Sequence, residues 1–202
     1  MPNPKKEGNR LPARKYDPGL DLFGNSVSFS IDNERLNLFL DSVHSFLKPS
    51  AHRYRARFQE MSFNYEESLP NILYASMISA AVSLLEHQIR IVAEVLRKAS
   101  GFPLSWNDVS GSLLERFSEY LNAAAGIRVD TSTALWQDVS GSIAIRNCLV
   151  HGDGNVADRH GQSDKAVSFI KRHKHDKCIV DKQVIPDDNL AHKILKVSES
   201  GR

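Results

Sequence analysis

The sequence lacks the features that would place it in several large classes of protein. It has two cysteines among 202 residues, too few for a disulfide framework. No stretch approaches the roughly 18 uninterrupted apolar residues typical of a membrane-spanning helix. The N-terminus also has no apolar segment of the kind that a secretory signal contains. We therefore expect a cytoplasmic protein with no membrane partner.

The common motifs of nucleotide-binding proteins and hydrolases are also missing. The chain contains no GxxxxGK[ST] phosphate loop, no GxGxxG turn and no GxSxG nucleophile elbow. Potential metal ligands do occur near the C-terminus, at His160, His173, His175 and Cys178. Their spacing is not that of a structural zinc site, and the basic run KRHKHDK around them repels a metal ion. We predict no metal and no cofactor.

The charge that is present is unevenly distributed. The formal net charge is +2, yet residues 1–16 carry five basic side chains and one acidic side chain. This segment is poor in apolar residues, so burial cannot offset the entropy lost on ordering it. Residues 17–31 show no regular pattern either. We interpret residues 1–31 as a disordered basic tail, either solvated or in contact with phosphates, and residues 32–202 as the folded domain.

Helical periodicity dominates the rest of the chain. Across residues 70–99, apolar side chains recur at helical spacing over about eight turns, which is typical of the central helix of a bundle. The predicted elements are a helix at 32–47 that stops at Pro49, a short helix from Ser50, a long helix at 70–99, a helix that Gly126 closes, a helix at about 132–151, a weaker basic helix at 161–176, a hairpin at 178–185 and a last helical segment at 189–197. This pattern predicts an all-α bundle with a small β-hairpin near the C-terminus.

Two glycines fall inside these helical patterns. Gly111 and Gly141 each cost about 1 kcal/mol relative to alanine in a helix interior. A close approach of two helices, for example at a dimer interface, would explain both.

Trp106 and Trp136 are expected to be core or interface anchors, and Cys148 a small core residue.

The segment RNCLVHG at residues 146–152 carries the strongest chemical signal. Asn147 and His151 are one helical turn apart and share a face, and the long side chain of Arg146 can reach the same pocket. The negative end of the helix dipole favours a protonated His151. A histidine can transfer a proton, and a guanidinium can stabilise negative charge on a phosphate. The set suits metal-free phosphodiester chemistry on RNA, although Arg and Asn near a helix end also cap carbonyl groups.

The spacing of Arg146 and His151 resembles the R-x4-6-H signature of the HEPN superfamily, the higher eukaryotes and prokaryotes nucleotide-binding domains. The earlier helix contains AAVSLLEHQIR, which is similar to a HEPN helix in which small and apolar residues lead to an acidic position, here Glu86. Glu86 lies beside a broad apolar face, where a carboxylate needs a partner, and Arg146 fits that need.

The resemblance implies a specific activity and assembly. Many HEPN proteins with this motif are metal-independent endoribonucleases that act as toxins or anti-phage effectors. Two copies place their motif helices against each other and form one cleft. Carried over by position, Arg146 and His151 are catalytic, Asn147 is accessory, and Glu86 orients Arg146 or ties the two helices together. The implied partners are RNA, a second copy of the chain, and an antitoxin or sensor protein.

Two other interpretations fit the same sequence. Some HEPN proteins do not cleave RNA and serve as modules that bind a nucleotide, RNA or a protein, and an unrelated all-α scaffold would also have this pattern. The basic residues Lys171, Arg172 and Lys174 are either a solvated face or a surface that attracts an RNA backbone.

Overall fold

Six α-helices and one two-stranded antiparallel hairpin make up the part of the chain that the structure, a computed structural model, describes: residues 17–58, 65–152, 154–156 and 162–200. The elements are α1 (Pro18–Phe58), α2 (Tyr65–Ser100), α3 (Leu113–Ala125), α4 (Ala134–His151), α5 (Gln162–Arg172), β1 (Ile179–Val180), β2 (Gln183–Val184) and α6 (Asp188–Ser200), with short 3-10 helices at Trp106–Asp108 and Asp176–Cys178. The predicted all-α class and the small hairpin near the C-terminus are confirmed.

Helix α2 is the centre of the bundle. It contacts α1, α3, α4 and α6, while α4 packs against α5. Ile78 on α2, Ile145 on α4, Phe169 on α5 and Leu190 on α6 are fully buried in the main core. By length and composition alone, Leu69–Ser100 is also long and apolar enough to cross a membrane, although its apolar run is interrupted.

A smaller core fastens α3 to the C-terminal half of α2. Trp106 and Tyr120 are buried there with Ile89 and Ala93. The hydroxyl of Tyr120 donates a hydrogen bond to the carbonyl oxygen of Leu104 at 3.0 Å. Burial of Trp106 confirms its predicted core position.

The limits of α4 follow from local hydrogen bonds. The side chain of Thr133 caps its first turn by accepting from the Trp136 N–H at 3.3 Å, and the Gly152 N–H donates to the Cys148 carbonyl at 3.1 Å after the last turn. The predicted helix at 132–151 is therefore confirmed within two residues. Asp130 does not cap this helix, because its carboxylate accepts from the Ser132 N–H at 2.9 Å in the preceding turn.

The two glycines have different explanations. A Cβ atom on Gly141 would lie 2.5 Å from the Cβ of Phe169, so the glycine permits close approach of α4 and α5 within one chain. The prediction that Gly111 lies inside a helix is wrong. Gly111 is exposed in the loop before α3 with a φ of +115°, a conformation that favours glycine.

The beginning of the chain differs most from the sequence prediction. Residues 18–31 are helical, and α1 continues through Pro49 as one helix, so the predicted irregular stretch at 17–31, the stop at Pro49 and the separate helix from Ser50 are wrong. Packing on α2 buries Phe29 and Leu40 and overrides the weak local pattern. The expected domain boundary at residue 32 therefore falls inside a helix. Residues 1–16 of the predicted tail lie outside the described residues.

Candidate active site

An ion pair between α2 and α4 lies at the centre of the site. Nη2 of Arg146 donates a hydrogen bond to Oε1 of Glu86, as expected from the sequence. The side chains are 16% and 22% exposed, so both charges are largely removed from water. The pair ties the motif helix to the central helix and fixes the direction of the guanidinium.

The neighbours of Arg146 explain why its side chain points towards α2. Ile145 and Cys148 are buried in the main core, so Arg146 enters at the edge of that core. Its Nε atom is buried and has no hydrogen-bond partner among the described residues. A guanidinium has five N–H donors, so a bond to Glu86 does not exhaust its capacity to bind an anion.

His151 occupies a different environment. It is exposed in the last turn of α4, and Asn147, one turn earlier on the same face, is half-buried. His151 is five positions after Arg146, which corresponds to about 140° around the helix and about 7.5 Å along it. Within one protomer, the structure therefore brings Arg146 to Glu86 and leaves His151 at the surface on another face.

The chain after the motif helix is held by the β-hairpin, a feature that the sequence analysis missed. The Gly154 N–H donates to the Cys148 carbonyl at 2.9 Å, and the Val156 N–H donates to the Lys182 carbonyl at 2.8 Å. The Val184 N–H donates back to the Gly154 carbonyl at 2.7 Å. Gly154 has a φ of +81°, and a Cβ there would lie 2.9 Å from the Val184 oxygen. The only sequence signal was the glycine itself.

The basic residues at and just after the end of α5 lie far from His151. Nη1 of Arg172 donates to Oδ1 of Asp138 at 2.6 Å, and Nε2 of His173 lies 2.9 Å from the same oxygen. Asp138 precedes His151 by thirteen residues on α4, about 20 Å along the helix. Lys171, Arg172 and Lys174 are therefore at the opposite end of α4 from His151, and Arg172 is already paired.

The cysteines and histidines near the C-terminus show no metal-binding arrangement. Within the described ranges, no group of three His, Cys, Asp or Glu side chains is placed to hold a metal ion, and His160 lies outside them. Burial raises the pKa of the Cys178 thiol to about 11, and the nearby Asp187 carboxylate adds to the rise. Burial also lowers the pKa of His175. Cys178 is therefore a protonated core residue at neutral pH, and Cys148 is buried as expected.

A cavity of about 610 Å³ lies elsewhere, between α1, α2, α3 and the start of α4. Its walls are mostly apolar and include Phe29, Phe117 and Trp136, and Asp130 is the charged side chain among the described residues that line it. Hydrogen bonds from the Ser132 hydroxyl and N–H hold the pKa of Asp130 below its usual range. None of Arg146, Asn147 and His151 lines this cavity.

Comparison with known proteins gives no relative from which a function could be transferred. No protein-family model, no curated protein and no solved structure matches this chain.

Proposed function

We propose that this chain is a metal-independent endoribonuclease whose active site forms between two copies of the chain, in a toxin–antitoxin or anti-phage defence setting. The observation that carries the proposal is the Arg146 guanidinium held by Glu86, with an exposed His151 at the end of the same helix. The resemblance of these positions to the HEPN motif supports the same assignment.

In this mechanism RNA supplies its own nucleophile. His151 accepts the proton of a 2′-hydroxyl, whose oxygen attacks the adjacent phosphorus. Arg146 stabilises the charge on the pentacoordinate phosphate, and Asn147 orients the imidazole or binds a phosphate oxygen. The bond from phosphorus to the 5′-oxygen breaks, and that oxygen takes a proton from an imidazolium. The products are a 2′,3′-cyclic phosphate and a 5′-hydroxyl end.

A second copy of the chain would compensate for the separation of Arg146 and His151 within one protomer. Because Arg146 and His151 face different directions in one protomer, pairing of two motif helices would bring the Arg146 of one copy towards the His151 of the other. Val150 supports this interface, since it is an apolar side chain next to His151 and is 51% exposed. Burying it against a second copy would remove apolar surface from water.

Cleavage of total RNA in EDTA tests the proposal directly. We expect the wild type to cut, and His151→Ala to lose roughly 10²- to 10⁴-fold in rate, as for other general acid–base groups. Because His151 is exposed, its truncation leaves the packing intact. His87→Ala is the matched control, because His87 is an exposed histidine on α2 next to Glu86. Equal cleavage by the wild type and by His151→Ala would refute the mechanism.

A second candidate function is favoured by the burial of Arg146. A guanidinium that is 16% exposed and bound to Glu86 also fits a HEPN-like module that binds a nucleotide, RNA or a protein without cleaving. In that case purified wild-type protein would leave RNA intact in EDTA, and RNA or nucleotide binding by His151→Ala would equal that of the wild type.

A further inference from the structure

A small surface joins the motif helix to the hairpin. Residues 154–156 lie beside β2, with Asn155 opposite Gln183 in an isolated antiparallel bridge. The Asn155 N–H also donates to the Gly152 carbonyl at 2.7 Å, which connects this segment directly to the residue after His151. We call Asn155, Lys182 and Gln183 the hairpin surface.

The hairpin surface faces solvent. Directly opposed residues of an antiparallel pair have their side chains on the same face, and Asn155 and Gln183 are both exposed. Their neighbours Val156 and Val184 are buried on the other face, towards the core. The exposed face therefore presents polar side chains beside the end of the motif helix.

The turn that carries Lys182 is strained. Asp181 and Lys182 have φ values of +48° and +66°, as the two central residues of a tight hairpin turn require. Asparagine and glycine are favoured in such turns, whereas lysine is energetically unfavourable at a positive φ. Strained residues that persist cluster at sites of ligand contact. Lys182 is also exposed, and its carbonyl is the one that accepts from Val156.

We propose that the hairpin surface binds the stretch of single-stranded RNA next to the cleaved bond. The ammonium group of Lys182 contacts a backbone phosphate, and the amide of Gln183 hydrogen-bonds to a base edge. This proposal rests on the proposed function, because it assigns a binding surface to the nucleotides next to the bond that would be cleaved. Its test does not require cleavage.

The test measures binding of a 2′-O-methyl oligonucleotide, which has no free 2′-hydroxyl and cannot be cut by the proposed reaction. One lost phosphate contact lowers the slope of log affinity against log salt by about 0.7 for a single strand. We expect this change in Lys182→Gly and retention of the slope in Lys182→Arg. Because glycine relieves the positive φ, the melting temperature of Lys182→Gly should rise while its RNA affinity falls.

Lys174→Gly is the matched control. Lys174 is also exposed with a positive φ, of 59°, but it follows α5 next to His173, near the far end of α4. The control removes the same charge and relieves the same backbone conformation, but at a position away from the hairpin surface. We therefore expect an unchanged salt slope in Lys174→Gly. Asp181→Asn should strengthen binding, because it removes an anion next to the phosphate.

Three outcomes would overturn the proposal. They are no binding of the oligonucleotide by the wild type, an unchanged slope in Lys182→Gly, and an equal loss in Lys174→Gly, which would indicate a general effect of net charge or an RNA contact at Lys171, Arg172 and Lys174. Cleavage by the wild type with unaltered binding in Lys182→Gly would reject the hairpin surface alone. Binding that depends on Lys182 without cleavage would reject the nuclease mechanism alone.

Discussion

At the scale of single residues, the direction of Arg146 depends on Glu86. Two largely buried charges on different helices are each costly without the other, because neither is well solvated. The carboxylate therefore has a structural role in joining α2 to α4 and a positioning role for the guanidinium. These two roles can be separated by measuring stability and cleavage in the same variant.

We expect Glu86→Gln to lower the free energy of unfolding by about 3 kcal/mol, because it leaves a buried guanidinium without its counter-charge. The measurement is urea denaturation at neutral pH. Glu94→Gln is the control, since Glu94 pairs with Arg97 on the exposed surface of α2 and such pairs contribute less than about 1 kcal/mol. Equal losses in the two variants would contradict the role of Glu86 in joining the helices.

The buried thiol of Cys178 gives a pH prediction at the same scale. Its pKa rises from an ordinary 9.0 to about 11 in the fold, so the neutral thiol stabilises the folded state below pH 9 and this contribution is lost as the pH rises through 11. We expect the free energy of unfolding to fall between these pH values by about 2 kcal/mol more in the wild type than in Cys178→Ala. Urea denaturation at a series of alkaline pH values checks this, and parallel curves would rule the thiol out.

At the scale of elements, the sequence predicted the helices whose ends carry local signals. Gly126 in the left-handed conformation ends α3, and Gly152 follows α4, as their positions indicated. The start of α1 also carries a local signal, since the Asp17 carboxylate accepts from the Gly19 N–H at 2.9 Å and Pro18 occupies the first helical position. This signal was missed because residues 18–31 lack a helical apolar pattern, and their helix depends on packing against α2. The Glu86–Arg146 pair was accessible from the sequence, since a carboxylate beside an apolar face needs a partner. The hydrogen bonds that join residues 154–156 to the hairpin could not be predicted from the sequence, because they link backbone groups of distant residues.

The contact between α4 and α5 can be tested by adding one methyl group. We expect Gly141→Ala to destabilise the protein by about 1–3 kcal/mol, because the new Cβ would overlap the Phe169 side chain. Gly24→Ala in α1 is the control, as no atom lies within 4 Å of its Cβ position. It should stabilise by about 0.5–1 kcal/mol through helix propensity. Thermal denaturation of both variants checks the pair, and a neutral Gly141→Ala would contradict the close approach.

At the scale of the whole molecule, the proposed activity belongs to a pair of chains. One protomer holds its guanidinium against Glu86 and presents its imidazole on another face, so the proposed cleft would take groups from both copies. The apolar Val150 beside His151 is where the second copy would pack.

Mixing two inactive variants tests this assembly. Arg146→Ala and His151→Ala are each expected to be inactive, whereas a heterodimer of the two retains one arginine and one histidine. We therefore expect part of the RNA cleavage to return when the purified variants are mixed and allowed to exchange subunits. Continued inactivity of a mixture in which heterodimers are detected by native mass spectrometry would assign the site to a single protomer.

The hydrogen bonds between residues 154–156 and the hairpin also affect the order in which the protein folds during synthesis. Gly154 and Val156 are held by residues about thirty positions later in the chain, at Lys182 and Val184. A ribosome must therefore translate past residue 184 before the end of the motif helix acquires its neighbouring strand. A nascent chain that already contains Arg146 and His151 still lacks this support, so a toxic activity at this site would be withheld from the translating ribosome until late in synthesis.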